Sequence, residues 1–324
     1  MMMEEEKYVD LGQTQAQEGN GKGLGGIKLK FNGAQFYEKH YKTLLYIPLI
    51  LVVLSLLFLG LKYARGEDII KRDVSLTGGV TLTVNYREQV SLVDLERVLS
   101  EKFGEVTVRK LSGVGSGRQV GLVFELQATA SDLESIKGEV SKQLGIRIDE
   151  KNSAVEITGS SLGKTFSSQL IKAVIIAFLF MAVVVIILFR AFVPAFAVIF
   201  AAFADILGTF TVLSILDVKI STAGIAAFLM LIGYSVDTDI LLTARVLKRR
   251  EKPFYERFTE AMKTGLTMTF ASFAAFLIAY IFVLSPILKE IFLILTIGLL
   301  FDTINTWMFN ASILKIYLDK IEKK

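Results

Sequence analysis

The chain has 324 residues, 52% of them hydrophobic, with a mean hydropathy of +0.53 and a formal net charge of +4. With 21% charged residues, it is too apolar for an ordinary soluble domain and too charged to lie wholly in lipid, so a membrane protein with a substantial polar domain is expected. The absence of cysteine excludes disulfides and thiolate chemistry, and a single histidine, His40, excludes a histidine-rich metal site.

In chain order, residues 1–35 are rich in Gly, Gln, Glu and Lys with few large apolar side chains, and read as a flexible cytoplasmic tail. The first long apolar run begins only near Thr43, so no cleavable signal peptide is expected. A first span occupies 36–63, its apolar part running from Leu44 to Tyr63. About a hundred mostly polar residues follow, assigned to a domain over 64–168.

Inside that domain, Val80–Arg87 alternates apolar and polar residues as a half-buried strand does. Ser91–Phe103 has a Ser cap, acidic residues in its first turns and helical apolar spacing. Strands are expected at Val106–Leu111, Gln119–Leu126 and Ile146–Thr158, with a Gly/Ser loop at 112–117 and a second amphipathic helix at Ser131–Leu144. The order β-α-β-β-α-β predicts a ferredoxin-like α+β domain.

Residues 169–324 then form a five-span bundle, with spans near 170–189, 193–215, 222–246, 265–284 and 291–313. Each has about the twenty residues that cross roughly 30 Å of hydrocarbon at 1.5 Å per residue. The charged stretch at about 248–264 carries Phe254, Tyr255, Phe258 and Met262 at helical spacing, an amphipathic helix expected to lie at the cytoplasmic interface.

The basic residues set the orientation. Lys39, Lys42, Arg190, the run Lys248-Arg249-Arg250 and the C-terminal lysines all fall on one side of a six-span layout. That side is expected to be cytoplasmic, with both termini there and the α+β domain outside. The fold class is thus an α-helical membrane protein with six transmembrane helices and an external ferredoxin-like domain between the first two. The small net charge follows this topology, and nucleic-acid binding is not expected.

Against this apolar background four aspartates stand out. Asp205 and Asp302 fall near the middle of their spans, with Asp237 and Asp239 slightly cytoplasmic of the middle of theirs. A charged residue at a helix centre costs roughly 2.5–3.5 kcal/mol on insertion scales, and such residues persist mainly where protons, ions or substrates are handled. At about 100° per residue, Asp237 shares a face with Gly233, Tyr234 and Leu241, whereas Asp239 shares one with Ser235 and Thr243. The two carboxylates point about 200° apart, so both cannot occupy one seam of an unbroken helix.

Arg245 is the nearest basic residue in that helix, two turns away. Carboxylates in low dielectric without a cation can take up and release protons near neutral pH, the chemistry of a relay. The plainer alternative is that they hold helices together as neutral hydrogen-bonding groups.

Ser221-Thr222, Ala226-Ala227 and Gly233-Tyr234-Ser235-Val236 resemble the fourth-span signature of the SecD/SecF family of protein-export membrane proteins, on the SecF side. Asp205 matches an acidic position in the family's third span. Asp73 with Thr77-Gly78-Gly79 is similar to the motif that opens its external domain. Asp237 takes the place of the acidic residue of the sister protein SecD, Lys263 stands roughly where bacterial relatives have Arg, and Asp302-Thr303, Asn305 and Trp307 resemble archaeal members.

The resemblance implies an accessory subunit of Sec export in the plasma membrane that uses the proton-motive force. It also implies half of a resistance-nodulation-division-like machine, with SecD, the Sec translocon channel, the exported preprotein and the bilayer as partners. No enzyme activity, cofactor or metal is implied. Asp237 then ranks first among relay candidates, Asp205 second, and Asp239 and Asp302 follow on burial. The alternative function is half of a proton-coupled transporter for a lipid or small molecule.

Overall fold

A computed structural model describes residues 33–112, 118–248, 253–283 and 285–322. The tail expected at 1–35, nearly all of the Gly/Ser loop at 112–117, the basic residues 249–252 and the final lysines lie outside the described residues. Helix α1 (Gly33–Ala64) leads through a loop into the short helix α2 (Val74–Thr77).

The small domain follows as β1 (Gly79–Val84), α3 (Leu92–Phe103), β2 (Val106–Ser112), β3 (Gln119–Leu126), α4 (Leu133–Leu144) and β4 (Ser153–Thr158). Its strands form one antiparallel sheet in the order β2-β3-β1-β4. Alternation builds the core: Val80, Leu82, Val84, Leu122, Phe124 and Leu126 face Leu95, Leu99, Ile136 and Val140 of the two helices. Ser91 caps α3 by accepting from Asp94 N at 3.3 Å, and Gly104 and Gly145 close α3 and α4 with φ of +79° and +67°. The last strand is shorter than expected because Asp149–Asn152 fold into a turn held by side-chain bonds of Asp149 and Asn152.

The bundle comprises α5 (Ser160–Phe189), α6 (Phe192–Ile215), α7 (Thr222–Lys248), α8 (Phe254–Phe282) and α9 (Pro286–Ile304). From α9 the chain continues through a π-helical stretch, Asn305–Asn310, into α10 (Ala311–Glu322). Among the described residues, five helices are long and apolar enough to cross a membrane: those spanning 40–64, 165–189, 192–215, 222–247 and 254–282. Within its nineteen residues, α9 carries Lys289, Glu290 and Asp302.

One expectation is corrected. The amphipathic stretch expected at about 248–264 is not a separate helix over its described part: from Phe254 it is the first part of α8. Pro253 starts that helix and no proline interrupts it before Phe282. Phe254, Phe258 and Ala261 are instead buried against Tyr37, Trp307 and Leu314, with Phe258 stacked on Tyr37 at 4.5 Å.

The sheet's second face meets the end of the bundle. Asp73 N donates to Ile220 O, and Ile220 N to Lys71 O, each at 2.9 Å, making a short parallel bridge. Thr222 N donates to Ser75 Oγ at 3.2 Å, and Ser221 N to Glu290 Oε1 at 2.7 Å. These bonds tie the start of the domain to the first turns of α7 and α9.

Candidate functional site

Three of the four aspartates come together inside the bundle. Asp205 on α6, Asp239 on α7 and Asp302 on α9 are fully buried, and the carboxylates lie close enough to act on one another electrostatically. Helical spacing on α7 buries Ser235, Asp239 and Thr243 along one stripe. Asp237 falls on the opposite side of that helix, exposed with Gly233 and Tyr234. The residue ranked first from the sequence therefore stands outside the cluster within this chain.

Each carboxylate has a different set of donors. Asp205 accepts at both oxygens, from Ser235 Oγ at 2.5 Å and from Asn305 Nδ2 at 2.6 Å. Asp239 accepts twice at Oδ1, from Asn310 Nδ2 at 2.8 Å and from Thr306 Oγ1 at 2.9 Å. Asp302 Oδ1 bonds that same Thr306 hydroxyl, at 3.1 Å, and the Ser235 hydroxyl also lies near Asp302. The remaining oxygens Asp239 Oδ2 and Asp302 Oδ2, with Asn310 Oδ1, are buried without a hydrogen-bond partner among the described residues.

The π-helical stretch explains how three polar residues reach this site. On an α-helix, Asn305 and Asn310 stand about 140° apart. The wider i→i+5 turn brings them to one side, and π segments of this kind recur at functional sites. Thr306 and Asn310 escaped the sequence reading because their separation of four residues, ordinary in any span, says nothing of a change in helix type. The visible signal was four polar positions (Asn305, Thr306, Asn310 and Ser312) in the second half of an apolar run.

The supporting basic residues do not reach the cluster. Arg245 Nη1 donates to Glu260 O at 2.9 Å and Thr264 Oγ1 at 3.0 Å, both on α8, and Lys263 is exposed on α8. No ion pair to any of the three buried aspartates is found among the described residues. Asp73, Gly78 and Gly79 have a structural task instead. Asp73 caps α2 through Ser75 N at 2.9 Å, Gly78 turns the chain with φ +87°, and a Cβ on Gly79 would collide with Leu126 O.

A second polar site, not anticipated from the sequence, lies where the sheet meets the bundle, in a cavity of about 190 Å³ lined in part by Asp73, Arg109, Glu125, Glu156 and Glu290. Arg109 Nη2 bonds Glu125 Oε2 at 3.0 Å and approaches Asp73 Oδ2 at 3.6 Å. Lys219 Nζ donates to Thr107 Oγ1 at 2.6 Å and lies 3.9 Å from Glu125. Burial pushes the Glu125 carboxyl up to about 7, against the pull of Arg109 and Lys219 and with the push of Asp73 and Glu290.

Long apolar helices, a small antiparallel domain joined to one end and a buried carboxylate cluster define a multi-pass membrane protein. Residues 137–320 match the family "Protein export membrane protein SecD/SecF, C-terminal". The chain is 38% identical over 292 residues to the protein-export membrane protein SecF of Methanocaldococcus jannaschii, covering 88% of this chain and 99% of that one. It is 34% identical over 288 residues to SecF of Pyrococcus furiosus, covering 89% and 94%. The solved structure of SecDF, a translocon-associated membrane protein from Thermus thermophilus, superposes with a TM-score of 0.70 at 18% identity. That match takes in 92% of this chain and 40% of the longer one. The chain belongs to the SecD/SecF family of protein-export membrane proteins.

Proposed function

We propose that this chain is the SecF-type subunit of a protein-export machine, using the proton-motive force through its intramembrane aspartates. The observation that carries the reading is the buried cluster of Asp205, Asp239 and Asp302 with no cation bonded to it among the described residues. Magnitudes separate relay from glue. Three carboxylates at roughly 2.5–3.5 kcal/mol each cost on the order of 9 kcal/mol to insert. The five side-chain bonds they make return about 0.6 kcal/mol apiece, or about 3 kcal/mol in all. Mechanical adhesion does not offset the cost, whereas a proton-handling role gives it a reason.

The layout we assign is a tail over 1–35, a first span over 36–63, an external ferredoxin-like domain over 64–168 and a five-span bundle over 169–324. The β-α-β-β-α-β order with sheet order β2-β3-β1-β4 supports the domain assignment. The continuous helical stretch from α9 through its π segment to α10 is read as the sixth span. The basic residues favour cytoplasmic termini in the plasma membrane.

Asp237, exposed mid-helix beside Gly233 and Tyr234, fits a role at a seam with a like-built six-span partner of the SecD type. The translocon channel and the emerging preprotein complete the assembly. Single changes of Asp205, Asp237, Asp239 and Asp302 to Asn, assayed for preprotein export with and without a proton gradient, test the reading. At least one variant should lose the gradient-dependent part while keeping the gradient-independent part. Four variants with normal gradient stimulation would refute it.

A further inference from the structure

We infer that the Thr306 hydroxyl is a proton-transfer bridge between Asp302 and Asp239, and that Asp302 holds the exchangeable proton in the state described. The inference rests on the relay reading above and adds a residue, a direction and a resting assignment to it. Thr306 is fully buried, and its single Oγ1 lies 2.9 Å from Asp239 Oδ1 and 3.1 Å from Asp302 Oδ1.

A hydroxyl has one proton and can donate along only one of those lines. Two ionised carboxylates sharing that one proton would leave like charges on either side of a single oxygen, buried and with no bonded cation. One carboxyl must therefore be the acid and donate into the Thr306 lone pair. The donor census decides which. Asp239 Oδ1 already accepts from Asn310 Nδ2 at 2.8 Å, so it is an acceptor on the side facing Thr306. Asp205 accepts at both oxygens. The Ser235 hydroxyl, also near Asp302, gives its one proton to Asp205 Oδ2, so Asp302 Oδ1 has no donor besides the Thr306 hydroxyl; it donates to Thr306 Oγ1, and Thr306 donates to Asp239 Oδ1.

That arrangement is one hop from its product. The Asp302 O–H bond breaks as a new O–H bond forms at Thr306 Oγ1, while the original Thr306 O–H bond breaks and its proton binds Asp239 Oδ1. One proton has moved from Asp302 to Asp239, and Thr306 is again a neutral hydroxyl, rotated. Asn310 and the π-helical turn act as positioning elements: they fix the acceptor and hold Thr306 between α7 and α9. Among the described residues, the buried oxygens Asp239 Oδ2, Asp302 Oδ2 and Asn310 Oδ1 have no hydrogen-bond partner, and these are the positions at which a donor would load and unload the pair. The titratable groups facing the bridge are Asp205 from α6, Asp239 from α7 and Asp302 from α9.

The test uses membrane vesicles that carry the full chain with its export partners. Thr306→Val keeps the shape and removes the hydroxyl, and should lower gradient-driven export by about tenfold or more, whereas Thr306→Ser should stay within about twofold of the parent. If Thr306→Val retains gradient stimulation while Asp302→Asn or Asp239→Asn loses it, the bridge is overturned and the relay reading stands. If Asp205→Asn, Asp239→Asn and Asp302→Asn all keep gradient stimulation, the bridge is overturned with the buried cluster's part in the relay, and if Asp237→Asn keeps it too, the relay reading itself falls. Infrared difference spectra of the purified chain give a readout independent of export. The carboxylic-acid C=O band should vanish in Asp302→Asn, persist in Asp205→Asn and shift in Thr306→Ser. A band that vanishes in Asp205→Asn instead would overturn the assignment of the proton to Asp302.

Discussion

Asn305 Nδ2 donates to Asp205 Oδ1 at 2.6 Å, although the two residues lie 100 positions apart in the chain. The bond joins the start of the π-helical stretch to the middle of α6, in a place where both side chains are buried. Asn305→Leu keeps the volume similar and leaves Asp205 Oδ1 without its donor. A buried acceptor stripped of its partner costs about 1–3 kcal/mol. The thermal midpoint of the detergent-solubilised chain should fall accordingly, and an unchanged midpoint would show that this bond is not made in the folded protein.

Two glycines should respond in opposite ways. A Cβ on Gly208 would sit 2.5 Å from Cδ1 and Cε1 of Phe301, so α6 and α9 are packed to the limit there. Gly208→Val should destabilise the chain by about 1–3 kcal/mol through overpacking. Gly233, part of the family signature, has nothing within 4 Å of its would-be Cβ. Gly233→Leu should leave the stability of the chain alone within about 0.5 kcal/mol, yet reduce the amount of SecD-type partner recovered with it. Equal recovery of the partner would remove the seam assigned to the Gly233–Asp237 face.

Asp73 carries both a cap and a charge, and two substitutions separate them. Asp73→Ala removes the bond to Ser75 N and should cost about 1 kcal/mol. Asp73→Asn keeps a capping oxygen and loses only the 3.6 Å approach to Arg109, a partly exposed pair worth at most about 1 kcal/mol. Hydrogen exchange over residues 74–84 should therefore speed up markedly in the alanine variant and little in the asparagine variant. Similar acceleration in both would assign the stabilisation to charge rather than to the cap.

The small domain was legible because its signals are local. Period-two alternation in β1, the Ser91 cap and the Gly104 and Gly145 stops each act within a few residues. Burial of Asp205, Asp239 and Asp302 was also legible, since apolar neighbours announce depth. Which aspartates meet was not, because helix rotation decides it and the family signature drew attention to Asp237. The angular argument on α7 already placed Asp237 and Asp239 on opposite faces, but nothing local said which face turns inward. Thr306 and Asn310 depend on a π turn packed against α1, α6 and α7, and nothing local in the sequence marks the change of helix type. Arg109 and Glu125 meet across the paired strands β2 and β3, and Lys219 joins them only when the sheet settles on the bundle.

That junction makes a pH prediction whose sign can be worked out. Glu125 is 5% exposed on β3, and burial raises its carboxyl from 4.5 to about 7. Arg109 and Lys219 favour the ionised form, Asp73 and Glu290 oppose it, and desolvation outweighs the cations. Between these two values the unfolded or undocked chain has released the proton while the folded one keeps it. Stability from this group is therefore fully present below about pH 4.5 and is lost as pH rises through about 7. A shift of this size corresponds to about 3 kcal/mol. Hydrogen exchange over 119–126 and 217–222, measured on the full chain from about pH 5 to about pH 8 and corrected for the intrinsic rate, should show protection falling with pH. Glu125→Gln, which stays neutral and keeps an acceptor for Arg109, should flatten the profile across that window. Protection that instead rises with pH in the parent would mean the Glu125–Arg109 ion pair outweighs burial, and the junction would then be an ordinary salt bridge with no proton of its own.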